Sequence, residues 1–345
     1  MLPGSIQQAG WMGIKQKNRH YLASALTSKG FISFWPERFK ELKRLYLLQG
    51  NTISGQSLAI RLLGLALEDR SLHINYFHRA EDPMVLEGMI IPVKGFGVLS
   101  RDHPCAQLGS FPSLKVKTVE LPGGSVQTKD CGALGNEKVG QLLNAAGEIR
   151  NSCCSGYGDL SDAGGMNKAT GWIKDFQERE SVLKHFFAGS VTVQGEVEFL
   201  HHLLKHCRKR YLLKGAPESG TKVMQEILIE ALSCRYGVEA FHSWIDPMQR
   251  VALFFPEIQV AVVDITCCYK DLSPLPDDVV WDLGGNTQTE ACCQEAGRKV
   301  QKLKSFLTEA GRTADTSEEG KEGLYFTEDE LDGIIPQLLR DILSK

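Results

Sequence analysis

Leu45-Tyr-Leu-Leu-Gln-Gly50-Asn-Thr-Ile-Ser-Gly55-Gln-Ser57 reads as an apolar strand entering a turn with two glycines separated by four residues. The same pattern recurs as Arg210-Tyr-Leu-Leu-Lys-Gly215-Ala-Pro-Glu-Ser-Gly220-Thr-Lys222. The offset, 215 − 50 = 165, extends without a gap back to His20 and His185. Of the 31 positions from 20 to 50, ten are identical to those from 185 to 215, against about two by chance. The chain therefore contains a duplicated unit.

The duplication continues past the loops. A helix is expected at 57–68 and at 221–234, with Leu58, Leu62, Leu65 and Val223, Ile227, Leu228 at helical spacing. A second strand, 72–78 or 238–242, ends in Phe-His, followed by Asp82-Pro83-Met84 or Asp246-Pro247-Met248. The offset there is 246 − 82 = 164, one deletion in the turn. Asp82 and Asp246 are expected to be N-caps of a short helix with proline at its first position. A third strand follows at 95–99 and 260–263. Strands alternating with helices give an expected α/β fold, each copy a mainly parallel sheet flanked by helices.

The expected units are a first repeat at 15–104, an irregular insertion at 105–180, a second repeat at 181–312, and an acidic linker with a C-terminal helix at 313–345. The insertion carries a helical pattern at 138–149, and the second repeat another at 298–311. Thr327-Glu-Asp-Glu330 is a capping-box signature for a last helix with Leu331, Ile334, Ile335, Leu338, Leu339 and Ile342 on one face.

A strand feeding a Gly-rich turn into a helix aims several backbone N–H groups at one point, which suits a phosphate. An intact loop reads Gly-x4-Gly-Lys-Ser/Thr, the lysine reaching the outer phosphates and the hydroxyl coordinating Mg²⁺. In the first copy the candidate nucleotide-binding residues are Gly50, Ser54, Gly55, Gln56 and Ser57, with Gln56 in the lysine position. In the second they are Gly215, Ser219, Gly220, Thr221 and Lys222, with the lysine one residue late. One residue is a rotation of about 100° on a helix, so Lys222 has to reach around, and Lys214 is a second source of charge. The third strand of the second copy ends in Asp264, the candidate Mg²⁺ ligand together with Thr221. The first copy has Ser100 in the aligned place and Asp102 two residues on. Lys222 and Asp264 are the candidate catalytic residues. His78 and His242 either contact phosphate or base, or are strand-end histidines held by the backbone. His20 and His185 carry the same two readings.

These motifs resemble a bacterial family of tandem P-loop ATPase-like proteins. His185, Phe187, Gly189, Thr192 and Gly195 match its opening, and Lys214, Gly215, Pro217 and Gly220 match its loop. His242, Asp246-Pro247 and Asp264-Ile265-Thr266 match the remainder. The first copy matches through His20, Thr27, Gly30, Gly50, Gly55, Ser57, His78, Asp82-Pro83 and Pro104. The likeness covers about residues 18–104 and 183–275. It implies an α/β fold of two tandem P-loop NTPase-like domains, ATP binding and an ATPase reaction. The departures fall on catalytic positions: Gln56 and Thr221 for lysine, Lys222 for the hydroxyl, Ser100 for the acid. The alternatives are a pseudo-ATPase scaffold for protein–protein contact and a small-molecule or nucleotide kinase.

Composition sets outer bounds. The chain has 345 residues, 42% hydrophobic and 23% charged, as in a globular protein with room for two domains. A net charge of −3 encodes no general pull towards nucleic acid or anionic membrane. Neither a membrane-length apolar run nor a secretion signal is present, so a cytoplasmic location is expected. The ten cysteines include three adjacent pairs and no Cys-x-x-Cys, so free thiols are expected rather than a metal site.

Overall fold

The computed structural model describes residues 18–27, 30–50, 52–107, 114–121, 182–192, 195–204, 207–215, 219–266, 272, 275–283 and 334–343. In the first repeat, β1 (Arg19–Tyr21) leads into a hairpin of β2 (Ser24–Thr27) and β3 (Gly30–Ser33), then a short helix α1 (Trp35–Phe39). Next come β4 (Arg44–Gln49), α2 (Ile53–Glu68), β5 (Asn75–His78), β6 (Leu86–Ile91), β7 (Phe96–Ser100) and β8 (Lys115–Glu120). The second repeat opens with β9 (Leu183–Phe187), the hairpin β10 (Gly189–Thr192) and β11 (Gly195–Glu198), and α3 (Leu200–Leu204). It continues with β12 (Lys209–Lys214), α4 (Ser219–Ser233), β13 (Val238–His242), β14 (Arg250–Phe255), β15 (Val260–Asp264) and β16 (Val279–Asp282). A last helix, α5 (Ile334–Leu343), packs on α2 of the first repeat.

The two sheets have one topology. The first has the order β1-β5-β6-β7-β4-β8, and the second, position for position, β9-β13-β14-β15-β12-β16. The fold is α/β with two six-stranded mixed sheets, in which all strand pairs are parallel except those made by β6 and β14.

That antiparallel strand corrects the expected short helix after Asp82 and Asp246. The two aspartates cap no helix. Asp82 Oδ1 accepts from the Met84 amide and Asp246 Oδ1 from the Met248 amide, both at 3.0 Å, which makes tight side-chain-closed turns. A connection this short reverses the chain, and β6 is buried along its whole length, so its apolar run reads as strand rather than amphipathic helix. The first sheet also reaches past residue 104. Its edge strand β8 comes from the stretch expected to be irregular and pairs with β4 from Arg44↔Lys115 to Gln49↔Glu120.

Each sheet is covered on both faces, which is why its central strands are near-continuous apolar runs. Tyr46 and Leu48 face α2, whereas Leu45 and Leu47 face a core shared with the second repeat. The buried stripe of α2 is Ala59, Ile60, Leu63 and Leu67. Of the expected face, Leu58 and Leu62 lie at its margin and Leu65 is 52% exposed. The α4 stripe of Val223, Ile227 and Leu228 is as expected, with Met224 and Ala231 added. On α5, Leu338 and Ile342 are buried, with Ile334, Ile335 and Leu339 against the same core. Thr327–Glu330, Leu331, Pro217, the helices expected at 138–149 and 298–311, and the adjacent cysteine pairs lie outside the described residues. No described helix is long and apolar enough to cross a membrane.

The repeats meet at a pseudo-twofold junction. Leu22 forms an isolated antiparallel bridge with Phe187, its own counterpart at 187 − 22 = 165. Tyr21 stacks on Phe186 with ring centroids 4.2 Å apart, again the same position in both copies. Phe34 of the first repeat packs on Phe187, His185 and His242, and Phe199 of the second packs on His78. Charge breaks the symmetry. Arg19 pairs with buried Glu239 at 3.1 Å, and the Tyr21 hydroxyl contacts both carboxylate oxygens. Asn75 stands in the aligned place of the first repeat. Lys184, the counterpart of Arg19, instead pairs with Glu41 at 2.8 Å.

Breaking a buried ion pair from one side leaves an uncompensated charge. Arg19→Met is expected to destabilise the protein by about 3–5 kcal/mol in urea unfolding, and Glu239→Leu in addition to recover most of that loss.

Candidate functional site

The two strand–loop–helix segments lie at the carboxyl ends of β4 and β12, beside the ends of β7 and β15. In the first repeat the chain turns at Gly50, whose φ of +92° is a left-handed value that side chains resist. α2 then starts at Ile53, four residues earlier than expected, so Ser54, Gly55, Gln56 and Ser57 all lie in its first turn or just after. Thr52 is the N-cap: its hydroxyl accepts from the Gly55 amide at 3.1 Å and its carbonyl from the Gln56 amide at 3.0 Å. Two backbone donors at the start of α2 are thereby used within the segment itself.

Gln56 fills the remainder. Its side chain is 1% exposed, and Nε2 donates to the Gly50 carbonyl at 3.2 Å and to Asp102 Oδ2 at 2.8 Å. Its Oε1 accepts from the Ser100 hydroxyl. This pattern fixes the amide orientation, because both Nε2 partners can only accept. Ser57 is buried, and its hydroxyl accepts from the Leu86 amide at 2.8 Å, tying α2 to the start of β6. Ser54 is exposed. The first loop is closed by its own side chains, and Asp102, two residues beyond the aligned acid position, is drawn into it.

The second repeat differs at these positions. Gly215 follows β12, Ser219 and Gly220 open α4, and Thr221 is half-buried. Asp264 lies at the end of β15, 7% exposed, with Oδ1 accepting from the Thr266 amide at 2.9 Å. Its carboxylate abuts the first turn of α4 so closely that a Cβ on Gly220 would lie 2.3 Å from Oδ2. Only glycine fits there. Lys222 and Lys214 are both exposed, so neither points into the protein at the loop.

The structure thus brings Gly220 and Asp264 together in the second repeat, and Gly50, Gln56, Ser100 and Asp102 together in the first. Among the described residues no three or more His, Cys, Asp or Glu side chains converge on a metal position. Mg²⁺ does not require such a cluster, because it is commonly held by one or two carboxylates, substrate phosphates and water. A buried carboxylate beside the first turn of a helix is compatible with that mode.

The histidines lie elsewhere. His242 Nδ1 donates to the Pro247 carbonyl at 2.8 Å, and His185 Nδ1 lies 2.8 Å from His242 Nε2. The first repeat repeats the chain with His20, His78 and the Pro83 carbonyl. β14 and β15 separate β13 from β12, so His78 and His242 are strand-end histidines held by backbone carbonyls, with His20 and His185 hydrogen-bonded to them, away from the loop. Burial, with His185 alongside, brings His242 down to about 4, which keeps the pair neutral near pH 7.

A second buried polar group holds the turn that carries Asp102. His103 Nδ1 accepts from the Cys105 amide at 3.1 Å, so its proton sits on Nε2 and faces Ser24 Oγ at 3.2 Å. Glu87 accepts from Trp35 Nε1 at 2.6 Å and lies 3.5 Å from His103 Nε2. Burial raises the Glu87 carboxyl to about 8 and lowers His103 to about 3, so both are neutral at pH 7. Sequence gave no sign of this group, because Ser24, Glu87 and His103 are far apart in the chain.

No family model, curated protein or solved structure matches this chain.

The two shifts act in opposite directions on stability. Glu87 holds its proton in the folded state, so its contribution falls as pH rises from 4.5 through about 8. His103 stays neutral when folded, so its contribution falls as pH drops from 6.5 through about 3. Between pH 4.5 and 6.5 the two slopes offset each other. Glu87→Gln removes only the alkaline fall, so urea unfolding at pH 5.5 and 8 is expected to show the variant gaining on the wild type as pH rises.

Proposed function

We propose that the second repeat binds a nucleoside triphosphate, ATP in the leading reading, with Mg²⁺, and that the first repeat is a filled structural copy of the same site. The observation that carries this is the buried Asp264 carboxylate lying directly on Gly220 in the first turn of α4. A helix N-terminus favours negative charge, and a carboxylate at the same spot repels it unless a cation intervenes. A Mg²⁺–phosphate pair satisfies both groups. Asp264 and the Thr221 hydroxyl would hold the metal, and the Gly215 and Ser219–Thr221 backbone would hold the phosphates. When bound, the cation would screen the phosphate charge.

This reading agrees with the resemblance to tandem P-loop ATPase-like proteins. For hydrolysis a lysine has to reach the phosphates. Lys222, on the exposed side of α4, and Lys214, before the loop, are the residues able to do so, and Lys222→Ala tests that step separately from binding. The Gln56 network favours a second reading, a pseudo-ATPase scaffold in which neither loop takes nucleotide.

Titration of the full chain with a fluorescent ATP analogue and Mg²⁺ distinguishes the two. Asp264→Ala is expected to weaken Mg²⁺-dependent binding at least about tenfold, or ~1.4 kcal/mol. Gly220→Ala, whose methyl would press on Asp264, is expected to abolish it, and Gln56→Ala to leave it unchanged. Wild-type affinity in Asp264→Ala, or no saturable binding by the wild type below millimolar nucleotide, overturns the proposal.

A further inference from the structure

Thr266 lies two residues beyond Asp264 and its side chain is 6% exposed, yet among the described residues its hydroxyl has no hydrogen-bond partner. Burying an unpaired hydroxyl is destabilising, and orphaned groups of this kind mark places completed by water or a ligand. Its amide donates to Asp264 Oδ1, which ties Thr266 to the carboxylate that abuts the head of α4.

The first repeat shows which way this position faces. At the offset of 164, Asp264 and Thr266 align with Ser100 and Asp102, and at 165 Thr221 aligns with Gln56. Ser100 and Asp102 both hold the Gln56 amide, so position 102 looks onto the loop. In the second repeat the shorter Thr221 stands in the place of Gln56. A carboxylate meets a phosphate only through a cation. A hydroxyl is neutral and can donate to a phosphoryl oxygen directly.

We propose that Thr266 binds the terminal phosphoryl group of the nucleotide, its hydroxyl donating to an oxygen of the phosphate farthest from the nucleoside. The terminal group is assigned because divalent cations bridge the two outermost phosphates, and Thr266 is hydrogen-bonded to the residue that would hold the cation. Thr266 then makes the second repeat selective for triphosphate over diphosphate. This inference rests on the nucleotide reading of that loop.

The test compares Mg²⁺-ATP and Mg²⁺-ADP titrations of the full-length wild type, Thr266→Val and Thr266→Ser, with thermal melts of each protein free of nucleotide. Thr266→Val is expected to lose about tenfold in its preference for ATP over ADP, as for one hydrogen bond to a charged group. Thr266→Ser is expected to keep that preference. Nucleotide-free Thr266→Val is expected to melt no lower than the wild type, because the unpaired hydroxyl is gone. An unchanged ATP-to-ADP ratio in Thr266→Val, or a lower melting temperature, overturns the role of Thr266 alone. A wild type that binds neither nucleotide overturns the reading of the loop itself, and the role of Thr266 with it.

Discussion

The bridge between Leu22 and Phe187, with the Tyr21–Phe186 stack beside it, is the contact on which the rest of the molecule depends. β1 and β9 are the outer strands of their sheets, and an unpaired outer strand is a site for unwanted pairing. Bringing the two together covers both at once. Tyr21, Leu22, Phe186 and Phe187 are almost wholly buried, each worth roughly 1.5–3 kcal/mol of burial. The same contact creates the core that α1 and α3 share, so neither repeat has its complete interior alone. Cross-packing of Phe34 on the histidines of the second repeat, and of Phe199 on His78, extends the junction to the carboxyl ends of β5 and β13.

Once two copies are held in this way, their loops can differ while both repeats stay needed for the shared core. In the first loop Gln56, Ser100, Asp102 and the Gly50 carbonyl form a closed polar network. At the second loop the aligned positions carry Thr221, Asp264 and Thr266, which place a carboxylate against the first turn of α4 and a buried hydroxyl without a hydrogen-bond partner among the described residues. The difference rests on three substitutions within one architecture.

Much of the scaffold was legible in the sequence. The strands at 45–48 and 211–213, the helices after them and the matching order of elements follow from apolar periodicity and a fixed offset. β6 and β14 were misread because a buried six-residue run has no period to reveal it, and Asp-Pro serves a turn as well as a cap. β8 was missed because its residues are mostly exposed and lack an apolar face. At the site, Gly220 and Asp264 were recognisable by spacing. Asp102 was noted and left without a partner, although its alignment with Thr266 at the offset of 164 was present in the sequence.

The sequence by itself determined the duplication, the strand–loop–helix units and the acid at Asp264, because each is a pattern among near neighbours or a fixed offset. Only the tertiary structure decided that Gln56 closes the first loop by reaching Asp102, 46 positions away. It alone decided that Asp264 lies against Gly220, that the buried Thr266 hydroxyl has no hydrogen-bond partner among the described residues, and that the repeats join through their own equivalent residues. These facts depend on distances between side chains remote in sequence, and packing sets such distances where local propensity does not.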